Sequence, residues 1–471
     1  MKNRMVTLAG WVSVVACRGQ AELPVPLQEG CADCIARPDD EAVAPSIAPC
    51  ASTGACEAAD AVCPAGGVVY PKGTHSPVTC AIGETWRQLL AANPSRRAGS
   101  FIKVGDSISA SHEFLHCFST EDVDLEGQGY GSLVDVHSYF LQPLDSDVSS
   151  YNRASLAARA SMTAAWALEG DPPPVEAEAQ EMSPSYALVM FGTNDLQYAG
   201  EDAPADVKYA WMLGHMRALI DWHIERAVLP VLYSIPPYRG QYQQLRQLIP
   251  GYNELLRALA GSRMIPFIDY YTSMSMLPNE GLRADGVHPS ADYIRLCRFD
   301  EEGLQLGYNL RNLLTLEAIN RIWHVTRMDE PEVLLDETDA ASHGVETIDD
   351  LLNKPVHELP LAAVLPLRLL PQASLDGTCE ASSPMSVEWR VQLSLSALTP
   401  VRVVAVGLGG ASVRWRAQEH PTKQCLEETD LIETSWAAGT RELVLEAAGP
   451  STGEVALLVT PCFEDDPRCA P

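Results

Sequence analysis

The chain has 471 residues, enough for two or more folded units with a sizeable core. Its formal charge of -29 argues against nucleic acid and against an anionic membrane surface as partners, because both recruit Lys and Arg. In chain order, Lys2 and Arg4 precede an apolar run (residues 5–16) too short to span a bilayer, the pattern of a secretory leader. Its end, Val14-Val15-Ala16-Cys17, resembles a bacterial lipobox, in which cleavage before Cys17 leaves that cysteine to carry the lipid. The other reading is an ordinary leader cut nearby. Membrane attachment is then expected only through a lipid anchor at the cell envelope.

Removing Cys17 from the 13 cysteines leaves 12, an even number that suits disulfides in an exported protein. Cys31, Cys34, Cys50, Cys56 and Cys63 crowd a Pro- and Ala-rich stretch without helix or strand period, read as a tether over residues 18–95. Cys31-x-x-Cys34 is half of a zinc pattern, but no second pair or histidine follows at zinc spacing, which favours a disulfide. Cys117 with Cys297 and Cys462 with Cys469 are the pairs to test elsewhere.

Residues 96–325 alternate strand-like runs with amphipathic helices, the pattern of an α/β domain with a parallel sheet. The runs are FIKV (101–104), YALVMF (186–191), VLPVLY (228–233) and MIPFID (264–269). Met212, Met216, Leu219, Ile220 and Ile224 recur at helical spacing and are assigned to the core; further helices are expected over 252–260 and 308–325. Residues 326–378 read as a linker. Beyond it Val387, Trp389, Val391, Leu393 and Leu395 alternate with other residues, and four more short runs follow, so 379–471 are expected to form a small all-β sandwich.

Three blocks carry chemistry. The first is Gly105-Asp106-Ser107 after the 101–104 run, which puts Ser107 at the carboxyl edge of a parallel sheet, where ligands bind. By itself it also reads as a turn with a helix cap. The second is Gly192-Thr193-Asn194-Asp195, again at a strand end, where the Asn194 amide can donate to an oxyanion. The third is Asp285-Gly286-Val287-His288, whose spacing lets the Asp285 carboxylate hold one imidazole nitrogen and leaves the other free for the Ser107 proton.

In this order the blocks resemble those of the SGNH or GDSL hydrolase superfamily, over about half of the chain. The resemblance implies a flavodoxin-like α/β/α sandwich and hydrolysis of esters. It also implies roles: Ser107 as nucleophile, His288 as base and then acid, Asp285 as its orienting partner. Asn194 and the Ser107 N–H would form the oxyanion hole, with Gly192 supporting the turn. The superfamily's further block supplies a glycine N–H to that hole. The equivalent stretch here, SLAARASMTAAW (155–166), has no glycine, so Ala160 or Ser161 would have to serve, with Ser161 as the candidate.

The leading expectation is an exported serine esterase, with carbohydrate O-acetyl groups as the substrate class. A lipase or phospholipase of the same fold, with a lid inside 121–150, is the second reading, and a binding lipoprotein with impaired turnover the third. A phosphate binder using the Gly105 turn would want a Gly-rich loop and a nearby base, and Lys103, set within the strand, does not supply that alone. His112 and His116 are expected on one face of a helix after Ser107, partly exposed; His215 and His223 are given no role. No metal or nucleotide cofactor is expected, since no HExxH or Walker loop occurs.

Overall fold

The computed structural model describes residues 72–120, 123–144, 148–198, 203 and 205–327, together with strands at 4–5, 12–16, 68–70, 361–366, 386–395, 399–408, 412–417, 431–436, 439–448 and 454–461. Cys17, Cys31, Cys34, Cys50, Cys56, Cys63, Cys462 and Cys469 lie outside the described residues, except that the strand Val12–Ala16 ends just before Cys17.

Four strands, β1 (Arg97–Gly105), β2 (Pro184–Met190), β3 (Leu229–Tyr233) and β4 (Phe267–Ile268), form a parallel sheet in sequence order. Every residue of β2 and β3 is buried, as befits strands covered on both faces. Helices α1 (Cys80–Ala91) and α5 (Gly307–Arg327) pack on each other, as do α3 (Ala205–Glu225) and α4 (Gln243–Ser262), and both pairs touch the sheet. The methionine stripe is core: Met212, Met216, Leu219 and Ile220 are wholly buried, each worth about 1.5–3 kcal/mol of transfer free energy.

The flavodoxin-like order would place a further strand outside β1. Among the described residues, only an isolated parallel bridge, Gly105 to Ala158, stands there, flanked by hydrogen bonds from Gly105 N–H to the Ala157 carbonyl and from Arg159 N–H to the Gly105 carbonyl. The chain then leaves the edge, because Ser161 turns it with φ of 63°. The doubly wound order is therefore incomplete in this sheet.

Two boundaries move. Part of the segment assigned to the tether is folded onto the α/β domain. His75 is buried and bonds the Leu314 carbonyl at 2.8 Å, and Trp86, 2% exposed, donates its indole N–H to the Met264 carbonyl at 2.6 Å. The stretch read as a linker contains β5 (Leu361–Pro366), which pairs antiparallel with β11 (Glu454–Pro461).

The C-terminal strands make two antiparallel sheets. In one, β7 (Thr399–Leu408) lies between β9 (Leu431–Trp436) and β11, with β5 on the far edge. In the other, β6 (Ser386–Leu395) and β8 (Ser412–Ala417) flank β10 (Gly439–Ala448). Val12–Ala16 pairs with β6 in that sheet and Arg4–Met5 pairs with Val12–Ala16, so cleavage before Cys17 would remove both. The first sheet is fastened to the α/β domain. Glu454 accepts from Arg217 and Arg263, Asp221 holds Arg263 from the other side at 2.8 Å, and Ala362, Val404, Leu408, Ala456 and Leu458 share the domain's apolar core.

Candidate active site

One residue, Asp106, separates β1 from Ser107, which opens the short helix α2 (Ser107–Ala110). Asp106 caps that helix by accepting the Ile108 N–H at 3.0 Å. The helix expected to carry His112 and His116 stops at Ala110; their rings stack 4.3 Å apart beyond it, His112 exposed and His116 opening a 3-10 turn (His116–Ser119). His215 and His223 bond carbonyls of their own helix, Trp211 and Leu219.

The third block meets the first across the domain. Ser107 Oγ and His288 Nε2 are 3.0 Å apart, and His288 Nδ1 is 2.9 Å from Asp285 Oδ2. Burial pushes the Asp285 carboxyl up, but the N–H groups of His288 and Val287 on Oδ1 and the imidazole on Oδ2 outweigh it and hold the group below its ordinary value. An ionised carboxylate only accepts, so Nδ1 carries the proton, and Nε2 is left to accept from the Ser107 hydroxyl. The turn needs Gly286: its φ is 69°, and a Cβ there would lie 2.5 Å from the Arg239 backbone carbon.

The second block faces the same place. Gly192 has φ of 147°, and a Cβ on it would meet Tyr252 at 2.5 Å, so the turn before Asn194 also requires glycine. Asn194 Nδ2 donates to the Met162 carbonyl at 3.0 Å and lies 3.5 Å from Asp106 Oδ2. Next to it, Asp195 Oδ1 accepts the Ala164 N–H at 2.8 Å. Two consecutive side chains thus hold the 161–164 stretch, the one that lacks the expected glycine. Within it Ser161 adopts φ of 63°, the left-handed conformation glycine takes at little cost. Ser161 is exposed, and its neighbour Met162 is in contact with Asn194.

Sequence reasoning missed the residues that support these groups. Asp106 and Asp195 are both buried; burial raises the first to about 6, against the pull of the Ile108 N–H and Arg311. Burial, with the charge of Asp106 added, raises the second to about 7, and its Oδ2 has no protein partner. Arg311, also buried, donates to the Ile108 carbonyl at 2.8 Å and to Ser109 Oγ at 3.0 Å while its guanidinium lies 3.7 Å over Phe114. The readable signal was an arginine set inside the apolar stripe of α5, beside Leu310, Leu313 and Leu314. Cys117 and Cys297 form a disulfide. Among the described residues no group of three His, Cys, Asp or Glu side chains is placed to hold a metal ion.

Residues 104–293 match the GDSL-like Lipase/Acylhydrolase family. No curated protein matches the sequence. Among solved structures, a GDSL-like lipase from Bacteroides thetaiotaomicron is 16% identical over 51% of this chain and 98% of its own, with a TM-score of 0.31. A variant of an acetyl xylan esterase from Geobacillus stearothermophilus is 17% identical over 48% of this chain and 96% of its own, with a TM-score of 0.30. The matched segment begins at the end of β1 and runs past His288, so it contains all three blocks. The segment 104–293 of this chain is thus a GDSL-like lipase/acylhydrolase segment, of the ester-hydrolase type.

Proposed function

We propose that the protein is an exported serine esterase that forms an acyl-enzyme on Ser107 and removes small acyl groups, acetyl foremost, from a carbohydrate carrier. The observation that carries the reading is the unbroken chain from Ser107 Oγ through His288 to Asp285. The Ser107 oxygen attacks the ester carbonyl carbon as its proton passes to His288 Nε2. The oxyanion is held by Asn194 Nδ2 and the N–H groups of Ser107 and Ser161. Collapse breaks the ester C–O bond, and the leaving alcohol takes the proton from His288. Water then gives a proton to His288 as it attacks the acyl carbon, and the carboxylic acid leaves with the Ser107 oxygen reprotonated.

Openness of the site supports the substrate class. The side chains of His288 and Asp285 are 35% and 48% exposed, so the triad lies at the surface. An ester on a bulky soluble carrier can reach such a site, whereas a long acyl chain needs a covered apolar channel. Export rests on the leader pattern, and anchoring on Cys17 as the lipid-bearing residue. Against impaired turnover, Ser161 has a positive φ, a conformation glycine adopts freely, so the chain at this position is turned even without a glycine.

The reading is tested with the full chain on acetylated xylo-oligosaccharides, p-nitrophenyl acetate and p-nitrophenyl palmitate. Acetyl release from the first two with little turnover of the palmitate supports it; preference for the palmitate supports a lipase instead.

A further inference from the structure

Two crosslinks join the segment after Ser107 to the segment that carries Asp285 and His288. One is the Cys117–Cys297 disulfide, spanning 180 residues. The other is the ion pair of Glu113 and Arg283, separated by 170 residues. Glu113 lies six residues beyond Ser107. Its side chain is 5% exposed, one carboxylate oxygen accepting from Arg283 and the other from the Ser111 hydroxyl. Its backbone carbonyl accepts from Asn312 Nδ2 of α5 at 3.0 Å, so the residue is fixed from below as well. Burial would raise this carboxyl, yet the Ser111 hydroxyl and Arg283 bring it down to about 2, and it stays charged.

At the other end, the main chain of Arg283 closes the turn that presents the triad. Its N–H donates to the His288 carbonyl at 2.8 Å, its carbonyl accepts the Gly286 N–H at 3.0 Å, and the neighbouring Leu282 bridges to Pro289. The Arg283 backbone therefore sets the Asp285–His288 turn, while its side chain fastens that turn to the nucleophile's segment. The turn needs such support, because α2 is only four residues long and the His288 and Asp285 side chains are 35% and 48% exposed.

We propose that the Glu113–Arg283 pair is a positioning device for the hydrolysis, setting the approach of His288 Nε2 to Ser107 Oγ without touching the reacting atoms. The proposal rests on the reading of Ser107 as nucleophile. A misplacement of about 1 Å in a near-attack geometry costs on the order of 100-fold in rate, and with Glu113 buried the same substitutions also cost stability, so the two effects are measured separately.

The experiment compares the full-length wild type with Glu113→Gln, Arg283→Gln, the double variant, Arg283→Lys and Ser107→Ala. It measures kcat and KM separately on p-nitrophenyl acetate, with thermal unfolding of each protein alongside. Each neutralised single is expected to lose about 10- to 100-fold in kcat with KM within about 3-fold, while folded at the assay temperature. The double should lose no more than the worse single, because both remove one interaction. Arg283→Lys, which keeps the charge but not the planar fork, should fall between them and the wild type. Unchanged kcat in the folded Glu113→Gln protein overturns the proposal, as do losses that track the unfolded fraction or that multiply in the double. Should Glu113→Gln not fold, Arg283→Lys decides by the same criteria. Ser107→Ala with wild-type turnover would instead overturn the nucleophile reading itself, a distinct result.

Discussion

Asn194 donates its side-chain amide to the backbone of Met162, at 3.0 Å, so the block bearing the proposed oxyanion donor also grips the 161–164 stretch, which has no glycine. The amide has two protons: one is held by the Met162 carbonyl, and the other lies on the long 3.5 Å contact to Asp106 Oδ2, the weaker of the two and the one an oxyanion would replace. Asn194→Ala should therefore lower kcat by about 100- to 1000-fold with little change in KM. Kinetics on p-nitrophenyl acetate check this; a loss confined to KM would place Asn194 in substrate binding rather than in the oxyanion hole.

Ser161 sets a second expectation. A non-glycine residue at φ of 63° carries about 1–2 kcal/mol of local strain, which glycine relieves in part at the expense of its own chain entropy. Ser161→Gly should leave kcat at or above the wild-type value and keep the fold. Ser161→Val, β-branched in the same conformation, should lower both kcat and the unfolding midpoint. A Ser161→Gly protein with greatly reduced turnover would show that the hydroxyl, not the backbone shape, matters here.

The acid pair under the site gives a pH prediction. The ordinary aspartate value of 3.8 is raised to about 6 in Asp106 and about 7 in Asp195, so the unfolded chain loses these protons first. Their contribution to stability is full below about pH 4 and declines as pH rises toward 7. Other groups run in the opposite sense. Burial lowers His75 and His223 to about 4, and Glu113 is held near 2, so their stabilisation is lost as pH falls. The Asp195 effect must therefore be read as a difference. Asp195→Asn keeps an acceptor for the Ala164 N–H, and its unfolding midpoint relative to wild type should rise steadily between pH 4 and 7. A constant difference across that range would mean that Asp195 titrates normally.

Much of this was legible because the chemistry sits in short blocks at strand ends, where local spacing fixes who meets whom. Ser107, Asn194, Asp285 and His288 could be named that way, and the Cys117–Cys297 pair stood out as two isolated cysteines in a globular stretch. Glu113 and Arg283 could not, since an ion pair across 170 residues leaves no local pattern. Element ends failed for identifiable reasons. The expected 264–269 strand shrinks to Phe267–Ile268 because Met264 turns the chain at φ of 51°. Helix α4 begins at Gln243, well before residue 252, and holds Pro250 in its interior, a residue that usually ends a helix. Strand β5 hid in a Leu- and Pro-rich stretch without alternation and takes its shape from pairing with β11.

The docking of the C-terminal sheet also has a consequence. Glu454, its side chain 6% exposed, sits between Arg217 and Arg263, and removing one partner of a buried pair leaves charge uncompensated at about 3–5 kcal/mol. Glu454→Ala should lose stability of that order in urea. A fragment ending at residue 327 should be less soluble than the full chain, because the face under Leu458 and Ala456 becomes bare. An unchanged denaturation midpoint in Glu454→Ala would mean that the sheet does not lean on α3 and α4.

The central claim is that Ser107, driven by His288, is the nucleophile. Its most direct test is turnover of p-nitrophenyl acetate by the full-length protein beside Ser107→Ala, with mass spectrometry of the wild type quenched during turnover. The variant should lose at least about 1000-fold in kcat, and the quenched wild type should carry one acetyl group on the peptide containing Ser107. Equal turnover by the two proteins, or an acetyl group on another residue, would contradict it.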